Sequence, residues 1–413
     1  MVKMSKKRKI AVVGGGAAGM MAAGTAASLS ADVTVFEHTD RLGKKLAITG
    51  KGRCNVTNNC PPAEFFENVT KNPRFLYSAI WKFPPSATIE LFERLGAPLK
   101  TERGARVFPE NDKAKTIVDA LRKYSKDCRV IFENVKDIRK TDEGYTVVAN
   151  AERNFDAVIL ATGGMSYKLT GSDGSGYEIA ARLGHSCTPL TPSLIPIESS
   201  SKLCGELMGL SLKNVAVKII NKSGKVLYSD FGEMLFTHFG VSGPIILSAS
   251  AHIRDEKISE LTLSIDLKPA LDEKTLDNRL LSEFKANINK NFANSLGSLL
   301  PAKLIKPLIS ITGIDPYKKV SFITREERKK ILLTLKDLKI PLKRLRPIDE
   351  AIITSGGISV KEITPSTMES KLHKGLFFAG EMIDVDAYTG GFNLQIAFST
   401  GYLAGKSAAE NET

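Results

Sequence analysis

The sequence lacks any apolar run long enough to cross a membrane, and it has little cysteine, with five residues in 413. The absence of such a run excludes a helical membrane protein. The cysteines (Cys54, Cys60, Cys128, Cys187 and Cys204) are scattered and form no Cys-x-x-Cys pair. This excludes a disulfide framework and a cysteine-based metal site, so we expect a reducing, cytoplasmic location and no metal. The basic residues 1–9 precede an apolar run that glycines interrupt at once, which is typical of a first strand and not of a signal peptide.

The sequence is also poor in acidic residues relative to basic ones. Lys and Arg number 58 against 45 Asp and Glu, giving a formal net charge of +13. The segment Lys318–Arg346 concentrates this excess, with eleven basic and three acidic residues. A basic surface attracts polyanions without reading their sequence, so ribosomal RNA is a candidate partner. The alternative is a solvated, solubilising surface.

What the sequence does have is a glycine turn between a short apolar strand and a small-residue helix. Gly14-x-Gly16-x-x-Gly19 follows the strand Ile10–Val13, and Glu37 ends the next strand. In this context the first glycine allows the tight turn, the second lets a pyrophosphate approach, and the third lets helix and strand pack closely. The helix N-terminus offers N–H donors to phosphates, and the acid can accept from ribose hydroxyls. The pattern predicts a dinucleotide site.

Three further segments favour FAD over NAD. Cations at Arg41–Lys45 follow Glu37 directly, Thr162-Gly163 ends a buried strand, and Gly380-Glu381 follows a strand near the C-terminus. The last of these segments implies that the chain returns to the cofactor near its C-terminus. A dehydrogenase that binds only a nicotinamide cofactor would not need this return.

The pattern of apolar strands and helices along the chain predicts an α/β fold interrupted by an insert. Residues 1–190 and 345–413 are expected to form a discontinuous, Rossmann-like FAD-binding domain. Residues 191–344 are expected to form an inserted substrate domain, β-rich over 191–270 and helical and basic over 271–344. The sequence does not specify the oligomeric state.

Dense motifs from residue 10 to 405 make a family resemblance specific. They include Gly52-Arg53-Cys54-Asn55 and Thr237-His238-Phe239-Gly240-Val241-Ser242-Gly243-Pro244, together with the strings at 354–358, 380–386 and 390–395. With these motifs the chain resembles the BaiN/YhiN-type flavoproteins, a family that also contains aminoacetone oxidase. The resemblance implies a FAD-binding domain of glutathione-reductase topology with a β-rich and helical insert.

The residues and the resemblance together predict the cofactor contacts. The glycine turn would hold the pyrophosphate and Glu37 the adenosine ribose, while the Lys45–Asn55 loop would line the flavin and Glu381 would lie at the ribityl chain. The helix that opens at Gly391 would stabilise negative charge on the reduced flavin. The complete set is Gly14, Gly16, Ala17, Ala18, Gly19, Glu37, Arg41, Lys45, Gly52, Arg53, Asn55, Val135, Thr162, Gly163, Gly380, Glu381, Asp384, Gly391, Phe392 and Asn393.

Cys54 and His238 are the candidate catalytic residues. Arg53 stands beside Cys54, an environment that would lower the pKa of the thiol or let it donate a proton. The alternative for Cys54 is a small buried residue that spaces the loop. His238 ends a strand of the insert, where a substrate is expected to face the flavin, and its alternative is a structural histidine.

Three functions stay open at this stage. The first is an NAD(P)H-driven reductase of a carbon–carbon double bond, and the family implies either uridine in ribosomal RNA or a small molecule of the bile-acid type as substrate. The second is an amine oxidase of the aminoacetone type, and the third a non-catalytic, FAD-containing binding protein. Because no second complete glycine fingerprint follows a strand in the insert, NAD(P)H is expected to dock transiently at the flavin. The excess charge favours the RNA substrate.

Overall fold

The computed structural model describes residues 7–410, which form two compact units. The first unit contains residues 7–193 and 348–410, and the second contains Leu194–Pro347. The sequence-based boundaries are 190/191 and 344/345.

The chain passes through the two units in three stretches. The first stretch, in the first unit, contains strands β1 Lys9–Val13, β2 Asp32–Phe36, β3 Thr57–Asn58, β4 Val69–Lys71, β5 Leu99–Glu102, β6 Arg106–Pro109, β7 Arg129–Ile131, β8 Asp137–Thr141, β9 Gly144–Val148, β10 Glu152–Phe155, β11 Ala157–Leu160 and β12 Thr191–Ser193, with helices α1 Ala17–Ser28, α2 Pro62–Phe65, α3 Tyr77–Lys82, α4 Pro85–Arg94, α5 Ala114–Tyr124 and α6 Ser175–Arg182. The second stretch is the second unit, with β13 Ile197–Ser199, β14 Ser211–Ile220, β15 Val226–Phe236, β16 Gly240–Ser242, β17 Thr262–Asp266, β18 Leu338–Leu345, α7 Lys202–Glu206, α8 Pro244–Ile253, α9 Glu273–Ala286, α10 Ala302–Thr312 and α11 Arg325–Lys336. The third returns to the first unit, with β19 Ile353–Ser355, β20 Leu376–Phe378, β21 Asp386–Ala387 and α12 Phe392–Glu410.

A five-stranded parallel sheet forms the centre of the first unit. Its order is β20-β11-β1-β2-β7. The middle strands are apolar nearly throughout, as a parallel sheet covered on both faces requires, and Ile10, Val12 and Ile159 are completely buried. The predicted α/β, Rossmann-like class is therefore confirmed. Small antiparallel sheets flank this sheet, with orders β10-β9-β8, β3-β6-β5, β12-β19 and β21-β4.

Two helices cross the sheet in close contact because their facing residues are small. A Cβ on Gly401 of α12 would lie 2.5 Å from the carbonyl oxygen of Ala18, and one on Gly405 would lie 2.3 Å from that of Ala22. Real side chains do not reach such distances, so these glycines set the separation between α1 and α12. Helix α1 begins directly after the glycine turn that follows β1.

The second unit is built around a closed barrel with strand order β13-β16-β15-β14-β17-β18. Its interior is filled by alternating apolar side chains such as Val217, Ile219 and Leu263, all buried. The sequence-based description of residues 271–344 as helical is wrong at its end, since β18 pairs with β17 and β13 and closes the barrel. The three helices α9, α10 and α11 occupy the rest of that segment.

Within residues 7–410, no helix combines the length and the apolar character that crossing a bilayer requires.

Candidate active site

The carboxyl edge of the parallel sheet brings together residues that are far apart in sequence. Because all five strands run in the same direction, everything that follows β1, β2, β7, β11 or β20 emerges at one edge. These connections carry the glycine turn, Glu37, Val135, Thr162-Gly163 and Gly380-Glu381 respectively. Ligands of open α/β sheets bind at this edge.

The three glycines of the first turn have different physical roles. Gly14 has a φ of +105°, and a Cβ there would meet the carbonyl oxygen of Ala161 at 2.4 Å. A Cβ on Gly19 would lie 1.8 Å from the carbonyl oxygen of Gly14, so this position holds helix and strand together. Gly16 is different, because a Cβ there would meet nothing within 4 Å. The protein's own packing therefore does not require glycine at position 16.

The open space at Gly16 lies where α1 begins. The helix starts at Ala17, with Gly16 as its N-cap in extended conformation. The first-turn N–H groups of a helix have no partner within the helix, and the dipole places positive potential there. The space is therefore suited to a phosphate group.

Glu37 is held rigidly beside this turn. Its Oε2 accepts from the N–H of Gly15 at 2.9 Å and its Oε1 from the N–H of Thr39 at 2.7 Å, and the residue is buried. Each carboxylate oxygen keeps a second lone pair that can accept from a ribose hydroxyl. Arg41 is exposed two residues beyond Thr39, and Val135 is buried just after β7, the neighbour of the strand that carries Glu37.

A polar network centred on Glu381 joins chain segments at the carboxyl edge of the sheet. Lys45 Nζ donates to Glu381 Oε2 at 2.7 Å and to Ser166 Oγ at 2.8 Å. The other oxygen of Glu381 accepts from the N–H of Thr354 at 2.9 Å. Thr354 in turn accepts at Oγ1 from the N–H of Met165 at 2.8 Å. The network ties three distant parts of the chain to one carboxylate.

Glycines pack closely around this network. Gly163 has a φ of +78° and Gly380 one of +77°, values that favour glycine. A Cβ on Gly164 would lie 2.5 Å from Thr354 Oγ1 and 2.8 Å from Glu381 Oε1. Thr162-Gly163 and Gly380-Glu381 follow the neighbouring parallel strands β11 and β20, and their cofactor contacts stay predictions.

The N-terminus of α12 completes the edge. Gly391 has a φ of +100°, and a Cβ there would meet the backbone of Thr57 at 2.3 Å. Phe392 is the first residue of the helix, and Asn393 is fixed by two bonds to Ala387, whose N–H donates to Oδ1 at 3.0 Å and whose carbonyl accepts from Nδ2 at 2.7 Å. The helix therefore presents a rigid N-terminal turn.

A cleft within the first unit leads to this helix terminus. Asn58 lies in its wall and donates from Nδ2 to the carbonyls of Gly104 at 3.0 Å and Gly390 at 3.2 Å. The other lining residues are Cys60, Glu64, Glu67, Asn68, Ala105, Arg106, Thr389 and Phe392.

Asp384 lies beside β4 of the first unit. It is buried, its Oδ1 lies 2.7 Å from Lys71 Nζ, and its carbonyl accepts from Asn72 Nδ2 at 2.7 Å. Its contact with the cofactor stays a prediction.

Arg53 and Cys54 differ from expectation. The Arg53 guanidinium lies over the ring of Phe108 at 4.2 Å and pairs with Glu102 at 2.5 Å and Asp112 at 2.6 Å. It therefore faces the β5–β6 hairpin and does not activate the neighbouring thiol. This corrects the predicted lowering of the Cys54 pKa, which burial raises instead, while the cofactor contact of Arg53 stays a prediction.

The thiol of Cys54 is completely enclosed by protein. The residue has no exposed surface, and burial raises its pKa to about 12, opposed by a hydrogen bond with Thr49. It also has a φ of +59° and donates its N–H to the carbonyl of Thr49 at 3.0 Å. This environment favours the spacing role over proton transfer.

One buried polar atom in the same loop lacks a partner. Asn55 Oδ1 is inaccessible to solvent and has no hydrogen-bond partner among the described residues. Gly52, nearby, is exposed with a φ of +84° and open space beyond its Cα. A buried acceptor without a donor is costly, so this loop fits a ligand that donates a hydrogen bond.

Taken together, the sheet edge fits FAD. The open position at Gly16 suits its pyrophosphate, Glu37 its adenosine ribose, the Lys45–Glu381 network its ribityl hydroxyls, and Asn55 and the α12 terminus its flavin. The sequence reasoning missed Ser166 and Thr354 as members of the network. Thr354 belongs to the Thr354–Ile358 string noted in the sequence, but nothing local indicates that it meets Glu381.

His238 lies in the second unit, in the turn between β15 and β16. Its side chain is exposed and its ring packs edge-on against Phe239 at 5.0 Å. Its role as a catalytic residue stays a prediction.

Among the described residues, no group of three or more His, Cys, Asp or Glu side chains is placed to hold a metal ion. The five cysteines are all free thiols.

The basic segment Lys318–Arg346 is partly neutralised within the second unit. Six of its eleven cations pair with carboxylates: Lys318 with Glu327, Arg328 with Asp277, Lys336 with Asp266, Lys339 with Asp337, and Arg344 and Arg346 with Glu198. The other five form no ion pair with a carboxylate of the described chain, and they are Lys319, Arg325, Lys329, Lys330 and Lys343.

The chain is similar in sequence to a known family and to proteins of named activity. The chain matches the family described as HI0933-like protein Rossmann domain over residues 8–407. It is 30% identical to the 3-dehydro-bile acid delta(4,6)-reductase of Clostridium scindens, over 97% of this chain and 99% of the relative. It is 29% identical to the ribosomal RNA dihydrouridine synthase of Escherichia coli, over 95% of each chain.

Among solved structures, the chain is similar to 3-ketosteroid delta1-dehydrogenase from Sterolibacterium denitrificans. The TM-score is 0.51 at 12% identity, covering 98% of this chain and 100% of that chain. At this identity the similarity concerns the fold alone.

Proposed function

The chain belongs to the HI0933-like Rossmann family and is an FAD-dependent oxidoreductase, and we propose that it reduces a carbon–carbon double bond conjugated with a carbonyl group. The observation that carries the proposal is a reaction common to relatives with different substrates. One is named for reducing double bonds of a 3-dehydro bile acid, and another for making dihydrouridine from uridine. In both molecules the double bond is activated by a carbonyl in conjugation.

The proposed net reaction balances with NAD(P)H as the reductant. The double bond gains a hydride at the carbon β to the carbonyl and a proton at the α carbon, while NAD(P)H becomes NAD(P)+. FAD, when bound, supplies the hydride chemistry. Since the insert carries no second glycine fingerprint, NAD(P)H is proposed to bind transiently and leave.

The chain's own residues would position the cofactor and balance its charge. Glu37 is fixed by two backbone N–H groups and can orient a ribose. Lys45 holds the Glu381 carboxylate in one orientation. The N-terminus of α12 directs N–H groups and the positive end of its dipole to the sheet edge, where they stabilise developing negative charge. His238 is the proposed proton donor.

Uridine in ribosomal RNA is the substrate that we prefer. The net charge of +13 and the five cations without described carboxylate partners supply the attraction that a polyanion needs. Relatives from Escherichia coli and Haemophilus influenzae, each 29% identical, are named for this product. The base would have to be unpaired and turned outward to reach a flavin.

A small enone is the second candidate. The relative from Clostridium scindens, at 30% identity, is named for a bile-acid substrate. Six of the eleven cations in Lys318–Arg346 are already neutralised, which lowers the charge available for a polyanion. A steroid would need no such charge.

The two candidates separate in one assay with the purified holoenzyme. Without oxygen, NADH or NADPH is supplied with either an unmodified ribosomal RNA transcript or a 3-oxo-4-ene steroid, and products are analysed by mass spectrometry. We expect dihydrouridine, two hydrogen atoms heavier than uridine, with the Gly16→Val protein as the flavin-free control. Saturation of the steroid alone would favour the small-molecule candidate. If neither is reduced while an amine yields peroxide in air, the enzyme is an oxidase and the proposal fails.

A further inference from the structure

Two aromatic side chains of the second unit are left in solvent within six residues of each other. Tyr317 is 78% exposed and Phe322 is 70% exposed. An aromatic ring stabilises a fold only when it is removed from water, so folding of the unit gains little from either one. Single exposed apolar residues are ordinary, but two large exposed rings on one short segment suggest a contact surface.

A second segment is hydrogen-bonded to the one that carries these rings. Lys319 Nζ donates to the carbonyl of Asn289 at 3.0 Å, and the N–H of Val320 donates to the carbonyl of Lys290 at 3.0 Å. The N–H of Phe292 donates back to the carbonyl of Lys318 at 2.8 Å. These bonds place exposed Ile288 and Lys290 on the loop beside the rings.

The charges on this surface are mainly positive and unneutralised. Lys290, Lys319 and Arg325 are exposed and make no ion pair with a carboxylate of the described chain. By contrast, Lys318, between Tyr317 and Lys319, pairs with Glu327 at 2.7 Å. Exposed Asp315 accepts from the N–H of Tyr317 at 2.9 Å, which satisfies part of its carboxylate within the turn.

We propose that Tyr317, Phe322, Lys290, Lys319 and Arg325 form a surface that binds single-stranded RNA, with the rings stacking on unpaired bases and the cations contacting the intervening phosphates. The proposal rests on the RNA substrate proposed above. We refer to these five residues as the aromatic–cation surface.

Single-stranded RNA suits this surface better than a duplex or a lipid bilayer. A ring can stack on a base only when that base is unstacked from its neighbours, as in loops and single strands. Along the chain, rings and cations alternate in the order Tyr317, Lys319, Phe322, Arg325. Alternation matches bases with phosphates between them, whereas membrane binding calls for a continuous apolar face.

The test uses the full-length holoenzyme and a fluorescently labelled 12-nucleotide RNA without secondary structure. Anisotropy titrations compare the wild type with the double variant Tyr317→Ala/Phe322→Ala. Base stacking on an aromatic side chain typically changes affinity by about 5–100-fold per base, so at least tenfold weaker binding is expected. Phe231→Ala, at another exposed ring of the same unit, is the matched control and should bind like wild type. Flavin absorbance and circular dichroism confirm that every variant is folded and loaded.

The outcomes discriminate between the proposals. Equal affinity of the double variant and the wild type would overturn the aromatic–cation surface, and so would equal affinity for a duplex of the same sequence. A third result would also overturn the proposal. If the double variant no longer sediments with anionic vesicles but binds RNA as tightly as the wild type, the rings bind a membrane and not RNA. Dihydrouridine formation by the wild type is measured separately. If the double variant makes dihydrouridine and binds RNA like the wild type, only the surface proposal fails, whereas a wild type that never makes it removes the RNA substrate itself.

Discussion

Gly16 and Gly19 belong to the same turn but are glycines for different reasons. A Cβ at Gly19 would lie 1.8 Å from the carbonyl oxygen of Gly14, whereas a Cβ at Gly16 would meet nothing within 4 Å. Substitution at Gly16 should therefore spare the fold and remove only the ligand. We predict that Gly16→Val purifies as a folded, colourless protein, checked by flavin absorbance, released FAD and thermal unfolding.

The matched variant is Gly19→Ala, which should lose both flavin and stability because its added methyl group collides with backbone. Stoichiometric yellow FAD in folded Gly16→Val would show that the pyrophosphate does not occupy this space.

Chemical labelling and substitution of Cys54 test whether its buried thiol takes part in the reaction. Because burial raises its pKa to about 12, the group stays a neutral thiol throughout the physiological range, and thiolate is the reactive form. At pH 8 we expect iodoacetamide to modify the exposed Cys187 and to leave Cys54 unmodified until the protein is unfolded, as peptide mass spectrometry would show.

Cys54→Ala should accordingly retain FAD and reduce substrate within about threefold of the wild-type rate, since no general acid is lost. A decrease by two decades or more in substrate reduction alone would return Cys54 to catalysis.

His238 is predicted to behave in the opposite way. His238→Gln removes the proposed proton donor from an exposed turn and, apart from the edge-on contact with Phe239, removes no ring contact of the described chain. NAD(P)H should reduce the flavin at the wild-type rate, and the reduction of substrate should slow by about two to four decades, the usual loss for a general acid. Stopped-flow absorbance separates the two half-reactions. Wild-type rates in both would make His238 a structural residue.

At this scale the sequence predicted well what depends on neighbours along the chain, and poorly what depends on distant partners. The glycine turn and Glu37 could be identified because their geometry is local. Arg53 was misinterpreted because Glu102 and Asp112, which bind its guanidinium, lie 49 and 59 residues away. The bond between Lys45 and Glu381 joins residues 336 apart and leaves no local signal.

At the scale of elements, the contact between α1 and α12 fixes the positions of both helix N-termini at the site. Gly405 of α12 faces the carbonyl oxygen of Ala22, 2.3 Å from where a Cβ would lie. We predict that Gly405→Ala separates the helices and lowers the free energy of unfolding by about 1–3 kcal/mol, the usual cost of overpacking, measured by urea denaturation.

Lys406→Ala on the same helix is the control, because that side chain is half-exposed and only 3.8 Å from Glu410 in a surface pair. It should change the free energy of unfolding by no more than about 0.5 kcal/mol. Equal stability of the two variants would mean that the helices can separate without cost.

In the closing strand of the barrel, β18, the alternation of apolar residues indicated a strand, whereas the neighbouring sequence indicated a helix. In β18, buried Leu338, Ile340 and Leu342 alternate with exposed residues, which is the period of a strand. The preceding helices and the abundance of lysine favoured a helical interpretation of 271–344. Alternation over the six residues 338–343 was the local signal for β18, but closure onto β13 depends on contacts that no segment shows by itself.

At the scale of the whole molecule, the eleven basic and three acidic residues of Lys318–Arg346 give this segment a positive charge that overstates what a polyanion would encounter there. Residues outside the basic segment, Glu198, Asp266 and Asp277, neutralise part of it. These partners are remote in sequence. The count of charges therefore predicted that the protein attracts a polyanion, but it could not predict which cations are available to bind one. The cations without such partners are the ones to vary.

The last prediction concerns Lys329, Lys330 and Lys343, which are exposed and form no ion pair with a described carboxylate. Each phosphate contact with a single strand contributes about −0.7 to the slope of log affinity against log salt. If all three contact RNA, their reversal to Glu should reduce the magnitude of that slope by about 2 and weaken binding, with flavin content unchanged because the site residues for FAD lie in the first unit. Arg344→Gln is the control, since Arg344 Nε already pairs with Glu198 at 2.8 Å, and its slope should stay near that of the wild type. A triple variant with the wild-type slope would make these three lysines a solubilising surface that RNA does not contact.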